Sequence, residues 1–338
     1  MTFERFCDAI KNSVGDYLPT SLQYKDIELM KVIKANDTEL TGLCVWLKDG
    51  LSPTIYLEDF YTAYEADEIT MDEALGRIAT IVYEDSKADR NIQRIIDNFG
   101  DFNLVKGKLL PRVINSDNNE MYLKDHPSTN KGDLTVVYYL DLGGDEKGGR
   151  MSIVITNDIL NHWGVSIDEI DKKAMENFNA NSKTTVKTML DTMIEMMGLE
   201  TLKEAIGEEA IWEMKNNPDQ LIISNESKIN GATNLLDTDA LDKVAKGYGD
   251  FYILPSSVHE CILLRKDAMR EDVGIDDLRQ MVAVVNETKV APNERLSYDV
   301  FEYDKYSKTI VKAKDDALTF TKEDANVDKH KANGFIKA

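Results

Sequence analysis

Residues 249–264 read GDFYILPSSVHECILL, and this stretch decides how the C-terminal part of the chain is interpreted. Its two apolar runs, 251–254 and 261–264, predict two strands, because both are short and rich in aromatic and branched side chains. A polar break between them carries Ser256, Ser257, His259 and Glu260. Polar groups in such a place must be hydrogen-bonded, exposed or used by a ligand. The break is therefore the first candidate for a functional site.

A β-hairpin followed by helices is predicted at the N-terminus. Residues 27–34 alternate as a strand, Asn36 and Asp37 are typical turn residues, and residues 40–47 return as the partner strand. From Ile55 onward aromatic side chains recur at helical spacing, and Thr70 with Glu73 forms a capping-box pattern that opens a further helix. This first module is expected to span residues 1–101.

Two further modules are expected after residue 101. Residues 102–217 are predicted to form an antiparallel sheet (109–114, 134–142 and 151–155) with a helical insert, in which the Gly-rich loop 143–149 is a hairpin turn. Residues 218–313 alternate between strand and helix patterns and predict an αβ unit. The tail 314–338 is polar, lacks periodicity and is predicted to be disordered. The fold class is therefore α+β, built from two or three modules.

Charge and composition limit the function classes. The formal net charge is −21, with 61 acidic and 40 basic residues, so the surface repels nucleic-acid phosphates and anionic lipid. A basic protein is the partner that this charge favours, and neither direct nucleic-acid binding nor membrane binding is expected. No run approaches the roughly 18 apolar residues of a membrane span. The three dispersed cysteines and a start without a signal-peptide pattern predict a cytoplasmic protein.

An acidic stretch offers one sharper hypothesis about the charge. Residues 49–76 contain Asp49, Glu58, Asp59, Glu65, Asp67, Glu68, Asp72 and Glu73, with no Lys or Arg. Carboxylates spaced like phosphates on one exposed face would make this stretch a mimic of DNA, or an inhibitor of a basic partner. Charge runs more often simply face water, and that interpretation is favoured.

The chemistry-bearing residues favour binding over catalysis. No Cys/His spacing predicts a metal site, and no Gly-Lys-Ser/Thr pattern predicts a phosphate loop, so neither a metal nor a cofactor is expected. The candidate binding residues are Asn230, Ser256, Ser257, His259 and Glu260. The break at 255–260 is expected to line the main concave site, next to the turn at residues 230–231. A hydrolase that uses a Ser/His/Cys site near residues 255–261 stays open as the alternative.

Four motifs together resemble a known family. They are residues 52–57 (SPTIYL) with the aromatic residues after them, residues 155–166 (ITNDILNHWGVS), residues 230–236 (NGATNLL) and residues 253–260 (ILPSSVHE). In these motifs the chain resembles an uncharacterised bacterial family, the domain of unknown function numbered five-six-eight-eight, which is common in anaerobic gut bacteria. The resemblance spans most of residues 20–312. It implies an uncharacterised protein and indicates boundaries, but it implies no mechanism.

Overall fold

The α+β fold class is confirmed. The computed structural model describes residues 1–48, 54–86, 94–95, 97–144, 150–270 and 272–314. The helices are α1 (Phe3–Ser13), α2 (Glu58–Glu65), α3 (Met71–Asp85), α4 (Phe102–Val105), α5 (Glu120–Asp125), α6 (Asn157–Trp163), α7 (Ile167–Asn181), α8 (Met189–Met197), α9 (Leu199–Ile206), α10 (Glu208–Asn216), α11 (Thr238–Tyr248) and α12 (Ile275–Lys289). The strands are β1 (Tyr24–Lys34), β2 (Thr38–Leu47), β3 (Thr54–Tyr56), β4 (Leu109–Ile114), β5 (Ser128–Lys131), β6 (Leu134–Gly144), β7 (Arg150–Val154), β8 (Thr184–Thr188), β9 (Gln220–Asn225), β10 (Phe251–Pro255), β11 (Cys261–Arg265), β12 (Phe301–Asp304) and β13 (Thr309–Lys312).

The chain divides into two compact units. The first contains residues 1–111, 116–128 and 137–178, and the second contains residues 112–115, 129–136 and 179–338. The module boundaries expected at residues 101, 217 and 313 remain predictions. Residues 145–149 of the Gly-rich loop and the tail from residue 315 lie outside the described residues. Among the helices that the structure describes, none is long and apolar enough to cross a membrane.

The predicted N-terminal hairpin forms the first sheet, whose order is β1-β2-β3. The side chains of α1 and α3 pack on this sheet around a core that includes Phe6, Ile10, Leu43, Leu57 and Ile78, each fully buried. At the predicted turn, Asn36 and Asp37 adopt positive φ angles of 60° and 48°, which Asn and Asp tolerate better than most residues. The hairpin prediction is therefore confirmed.

The prediction that a helix begins at Ile55 is wrong. Ile55 lies in β3 and pairs with Leu43 of β2, and α2 begins only at Glu58. The spacing of Tyr56, Phe60 and Tyr64 matches the helical period, but a period of four also places residues on one side of a strand. Residues 54–56 form a strand because the backbone groups at the edge of β2 need hydrogen-bond partners.

A six-stranded sheet forms the core of the second unit, in the order β13-β12-β10-β11-β9-β8. All of its described pairings are antiparallel. The strand pair at 251–264 and the closing hairpin are confirmed as β10–β11 and β12–β13. β8 was not predicted, and it pairs with β9 across the expected boundary at residue 217. The helices α8, α9 and α10 therefore connect two neighbouring strands of one sheet.

Helix α12 covers this sheet on the face of Tyr252 and Leu254. These two side chains pack with Ile275, Leu278 and Val282 of α12 in one buried cluster. The alternate residues of β9, β11 and β10 are also buried and point to the other face, among them Leu221, Ile223, Phe251, Ile253, Cys261 and Leu263. A sheet buried on both faces explains why residues 251–254 and 261–264 read as continuous apolar runs.

A further sheet contains four strands, of which β6 and β7 pair antiparallel. Its order is β4-β6-β5, and β7 pairs with β6. The register between β6 and β7 shifts between Asp141 and Gly143, where Gly143 has a φ of +100°. α6 ends at Gly164, which adopts the left-handed conformation (φ 66°) at the predicted stop.

The predicted capping box at the start of α3 is present, and its contribution to stability can be tested by mutation. Thr70 Oγ1 accepts the Glu73 N–H (3.2 Å), and the Glu73 carboxylate accepts the Thr70 N–H (2.8 Å). We expect Thr70→Ala to lower the free energy of unfolding by about 1 kcal/mol, because the cap is lost. Urea denaturation followed by circular dichroism measures this change.

Thr80 on the same helix is the matched control for this prediction. Its hydroxyl donates to the Gly76 carbonyl inside α3 and caps nothing. Thr80→Ala should leave stability unchanged or raise it slightly, because Ala has the higher helix propensity. An equal loss in both variants would contradict the capping role of Thr70.

Candidate functional site

The predicted polar break is the loop between β10 and β11. The two strands pair up to Pro255 and Cys261, so residues 256–260 form the connecting turn. The Ser257 N–H donates to the Glu260 carbonyl (3.1 Å), and the His259 N–H donates to Ser257 Oγ (3.0 Å). These bonds give the loop one conformation because they satisfy its backbone donors locally.

A second segment docks on this loop, as expected for the turn at residues 230–231. The Asn230 N–H donates to His259 Nδ1 (3.2 Å), and the Ala232 N–H donates to the Val258 carbonyl (3.1 Å). The Ser224 hydroxyl donates to the His259 carbonyl (2.7 Å). Asn230 adopts a left-handed backbone conformation (φ 51°) at this turn. The two sequence motifs therefore form one structural feature.

Gly231 permits this close approach. A Cβ atom on Gly231 would lie 2.2 Å from the His259 carbonyl oxygen and 2.2 Å from Ser224 Oγ. Both distances are far shorter than any van der Waals contact, and one involves backbone that cannot rotate away. Glycine is therefore required here by the distance between two chain segments.

The His259 ring joins three chain segments. Since Nδ1 accepts the Asn230 N–H, the neutral ring carries its hydrogen on Nε2, which lies 3.3 Å from Glu294 Oε1. The Val258 N–H donates to the Glu294 carbonyl (2.8 Å), so the residue that faces the ring also holds the loop. His259 and Asn230 thus belong to the scaffold of the site.

The geometry gives the hydrolase alternative no nucleophile paired with a base. Cys261 is fully buried, and burial raises the pKa of its thiol far above the usual range. Ser257 Oγ accepts from the His259 backbone N–H, and the two ring nitrogens face Asn230 and Glu294. Within the described residues, no serine hydroxyl makes a hydrogen bond with the ring. Covalent catalysis needs such a contact.

A cleft lies beside Glu260 on one face of the six-stranded sheet. Thr185 is paired with Ser224, and Ile223 is paired with Cys261, so Glu260 continues the row formed by Thr185 and Ser224. The cleft has a volume of about 170 Å³ and is lined by Thr185, Lys187, Thr192, Glu195, Ile222, Ser224, Asn225, Glu226, Lys228 and Glu260.

Ion pairs satisfy four of the five charged side chains that line the cleft. Lys187 Nζ lies 2.5 Å from Glu195 Oε1, and Lys228 Nζ lies 3.8 Å from Glu195 Oε2. The Lys187 ammonium lowers the pKa of the Glu195 carboxyl. Glu226 pairs with Lys183 at 2.8 Å, outside the lining.

Glu260 is the exception among these charges. Its carboxylate makes no hydrogen bond or ion pair with any residue that the structure describes, and the residue is half-buried. The Thr185 hydroxyl, across the row, likewise has no partner within the described ranges. The cleft therefore presents one unpaired carboxylate and one unpaired hydroxyl to a ligand, and Ile222 lines it as an apolar wall.

The five predicted binding residues thus play different parts. Asn230, Ser257 and His259 hold the loop, Glu260 enters the cleft, and Ser256 is half-buried in the same turn. Sequence patterns did not reveal the lining residues from β8 and α8, including Thr185, Lys187, Thr192 and Glu195. The β-branched Thr-Thr-Val sequence at 184–186 was the available strand signal, but three residues next to a helix pattern are weak evidence.

Some carboxylates of the acidic stretch are engaged within the first unit. Glu58 accepts the Thr41 N–H (2.6 Å), and Asp72 accepts the Tyr17 hydroxyl (2.5 Å). Glu73 belongs to the capping box, and Asp49 lies outside the described residues. The suggestion that this stretch mimics DNA stays a prediction.

Comparison with known proteins identifies the family. The profile of the family of unknown function DUF5688 matches residues 3–305, and the chain therefore belongs to this family. The resemblance inferred from the four motifs is confirmed to that extent. No curated protein and no solved structure matches the chain.

The approach at Gly231 leads to a stability prediction. Gly231→Ala should lower the free energy of unfolding by about 1–3 kcal/mol, because the methyl group forces two backbone segments apart. Gly247→Ala is the matched control, since a Cβ atom on Gly247 meets nothing within 4 Å and lies in α11. It should gain up to about 1 kcal/mol. Denaturant titration compares them, and equal stabilities would refute the packing argument.

The separate roles of His259 and Glu260 lead to a second prediction. His259→Ala leaves the Asn230 N–H without its acceptor and should cost about 1–3 kcal/mol of stability. Glu260→Ala removes no described contact and should change stability by no more than about 0.5 kcal/mol. Thermal melts of the two variants test this difference. Comparable drops in melting temperature would show that Glu260 is also structural.

Proposed function

We propose that this chain is a non-catalytic binding protein whose cleft receives a positively charged group, such as the side chain of a lysine or arginine on a basic partner. The unpaired Glu260 carboxylate carries this proposal. The other charged side chains of the lining already have partners. A ligand therefore gains most binding energy by placing a cation next to the two carboxylate oxygens of Glu260.

The cleft suits the stem of such a side chain as well as its head. The methylene groups of a lysine are apolar and pack on an apolar wall, while the ammonium group donates hydrogen bonds to oxygens. Ile222 offers the wall, and Glu260 and Thr185 offer the oxygens. A hydrogen bond to a charged group contributes about 1.5–3 kcal/mol, which suffices for recognition of one side chain within a larger contact.

The charge of the whole chain supports the same class of partner. A net charge of −21 attracts basic proteins over distances of about one Debye length and repels nucleic acid. This long-range attraction raises the association rate, whereas the cleft supplies a specific contact. The absence of a serine or cysteine nucleophile with a base, within the described residues, leaves binding as the simpler chemistry.

A titration with small molecules tests the cleft directly. The probe is Nα-acetyl-lysine methylamide, and its neutral counterpart is Nα-acetyl-norleucine methylamide, which keeps the apolar stem. Amide NMR spectra of the full chain should show saturable binding of the lysine probe, with shifts near Glu260 and Thr185. Glu260→Gln should weaken this binding by about tenfold, or 1.4 kcal/mol, because it removes the charge and little else.

Glu68→Gln is the matched control for the titration. Glu68 is an exposed carboxylate of the first unit without a described side-chain partner, so the variant changes the net charge equally. Its affinity for the lysine probe should equal that of the wild type. The proposal fails if Glu260→Gln binds the probe as the wild type does, or if the norleucine probe binds equally well.

A further inference from the structure

The three helices between β8 and β9 expose large apolar side chains to solvent. Met196 is 76% exposed, Met197 44%, Leu199 40% and Trp212 65%. They lie on α8, α9 and α10, which contact one another, and Met196 directly follows Glu195 of the cleft. Concentrated apolar exposure of this kind is unusual for a surface that only faces water.

These side chains are not needed to hold the helices together. Leu190 of α8 is 5% exposed and Leu202 of α9 is fully buried, so other residues form the inner contacts. α8 also contacts β8 and β9, which anchors the three helices to the sheet. The exposed apolar groups are therefore available for an intermolecular contact. Methionine side chains adapt easily to a partner, because they are unbranched and flexible.

Carboxylates are frequent on these three helices. Residues 189–216 contain seven acidic residues and two lysines, a net charge of −5. Lys203 pairs with Glu200 (3.1 Å) and approaches Glu208 (3.9 Å). Glu204, Glu209 and Glu213 make no ion pair with any other residue that the structure describes. The surface thus combines apolar contact area with unpaired negative charge.

Trp212 and its neighbours match a cationic side chain in particular. Glu208 and Glu209 precede Trp212 by four and three residues on α10, so they lie on the same side of the helix. A cation placed over the indole face can at the same time form an ion pair with Glu208 or Glu209. Trp212 is exposed enough to be reached by a partner.

We propose that this surface, formed by Met196, Met197, Leu199 and Trp212 with Glu209 and Glu213, binds a basic amphipathic α-helix of another protein. The apolar stripe of such a helix covers the methionines and the tryptophan, and its lysines or arginines meet the carboxylates. A second copy of the chain fits poorly, because it would bring a net charge of −5 against −5. The surface is a contact additional to the cleft and does not depend on Glu260.

A designed peptide tests this surface. The probe is a fluorescein-labelled helical peptide of about 18 residues, built from leucine and lysine with leucines at helical spacing. A scrambled peptide of the same composition measures attraction by charge alone. In fluorescence anisotropy with the full chain at about 150 mM salt, the ordered peptide should bind at least about tenfold tighter than the scrambled one.

Two variants of the chain locate the binding. Trp212→Ala combined with Met196→Ala should weaken the ordered peptide by about tenfold, because both anchors are lost. Glu209→Lys combined with Glu213→Lys should weaken it similarly while retaining the apolar groups. Tyr306→Ala is the matched control, since Tyr306 is 90% exposed and lies on the β12–β13 turn. Circular dichroism melts confirm that each variant is folded.

Three outcomes would overturn the inference. The first is equal binding of the ordered and scrambled peptides, or no binding of either. The second is an unchanged affinity in both double variants. The third is that the wild type binds no peptide but self-associates in sedimentation, and that the Trp212→Ala, Met196→Ala variant does not self-associate. That result would make a second copy of the chain the occupant of this surface. Glu260 is intact in all of these variants. A negative result in the peptide experiment therefore does not change the result expected from the lysine titration of the cleft.

Discussion

The contact between Gly231 and the His259 carbonyl is the constraint on which the second unit depends. Two segments almost thirty residues apart in sequence approach to a distance at which only a glycine fits. This approach lets the Asn230 N–H reach the histidine ring. The pairing of β9 with β11 brings the Ser224 hydroxyl to the His259 carbonyl. The loop after β10 is consequently held on both sides, which fixes the direction in which Glu260 projects. A cleft wall that carries an unpaired charge requires such support.

The register of the sheet completes the cleft. Antiparallel pairing of β8 with β9 and of β9 with β11 places Thr185, Ser224 and Glu260 in a row on one face. A slip of one residue in either pairing would move a whole strand of side chains to the opposite face. The apolar residues on that opposite face, such as Ile223, make the slip costly. Burial on one face therefore specifies the polar site on the other.

Charge has two distinct roles in this protein. Most described carboxylates are paired or cap a helix, and those interactions are local and weak at exposed positions. A smaller set, including Glu260, Glu209 and Glu213, has no partner among the described residues. Unpaired charge near apolar surface does little for the folded chain alone, because water already solvates it. It is informative about partners, since both the cleft and the helical surface would gain from the same cationic chemistry.

The sequence by itself determined the local elements. The turn at Asn36, the capping box at Thr70 and the polar break between β10 and β11 follow from the conformational preferences of a few adjacent residues. The break stands out in the sequence because polar residues interrupt an apolar run. Local preferences act within one or two turns of chain, and these features need nothing more. The family could be recognised from the same short motifs.

The tertiary structure alone decided which of these polar residues are free. The pairing of β8 with β9, the position of α8 over the sheet, and the bond between Asn230 and His259 all join residues far apart in sequence. The sequence therefore could not reveal that His259 is used inside the fold while Glu260 is not. Two adjacent residues received different roles because long-range packing supplied a partner to one and an open cleft to the other.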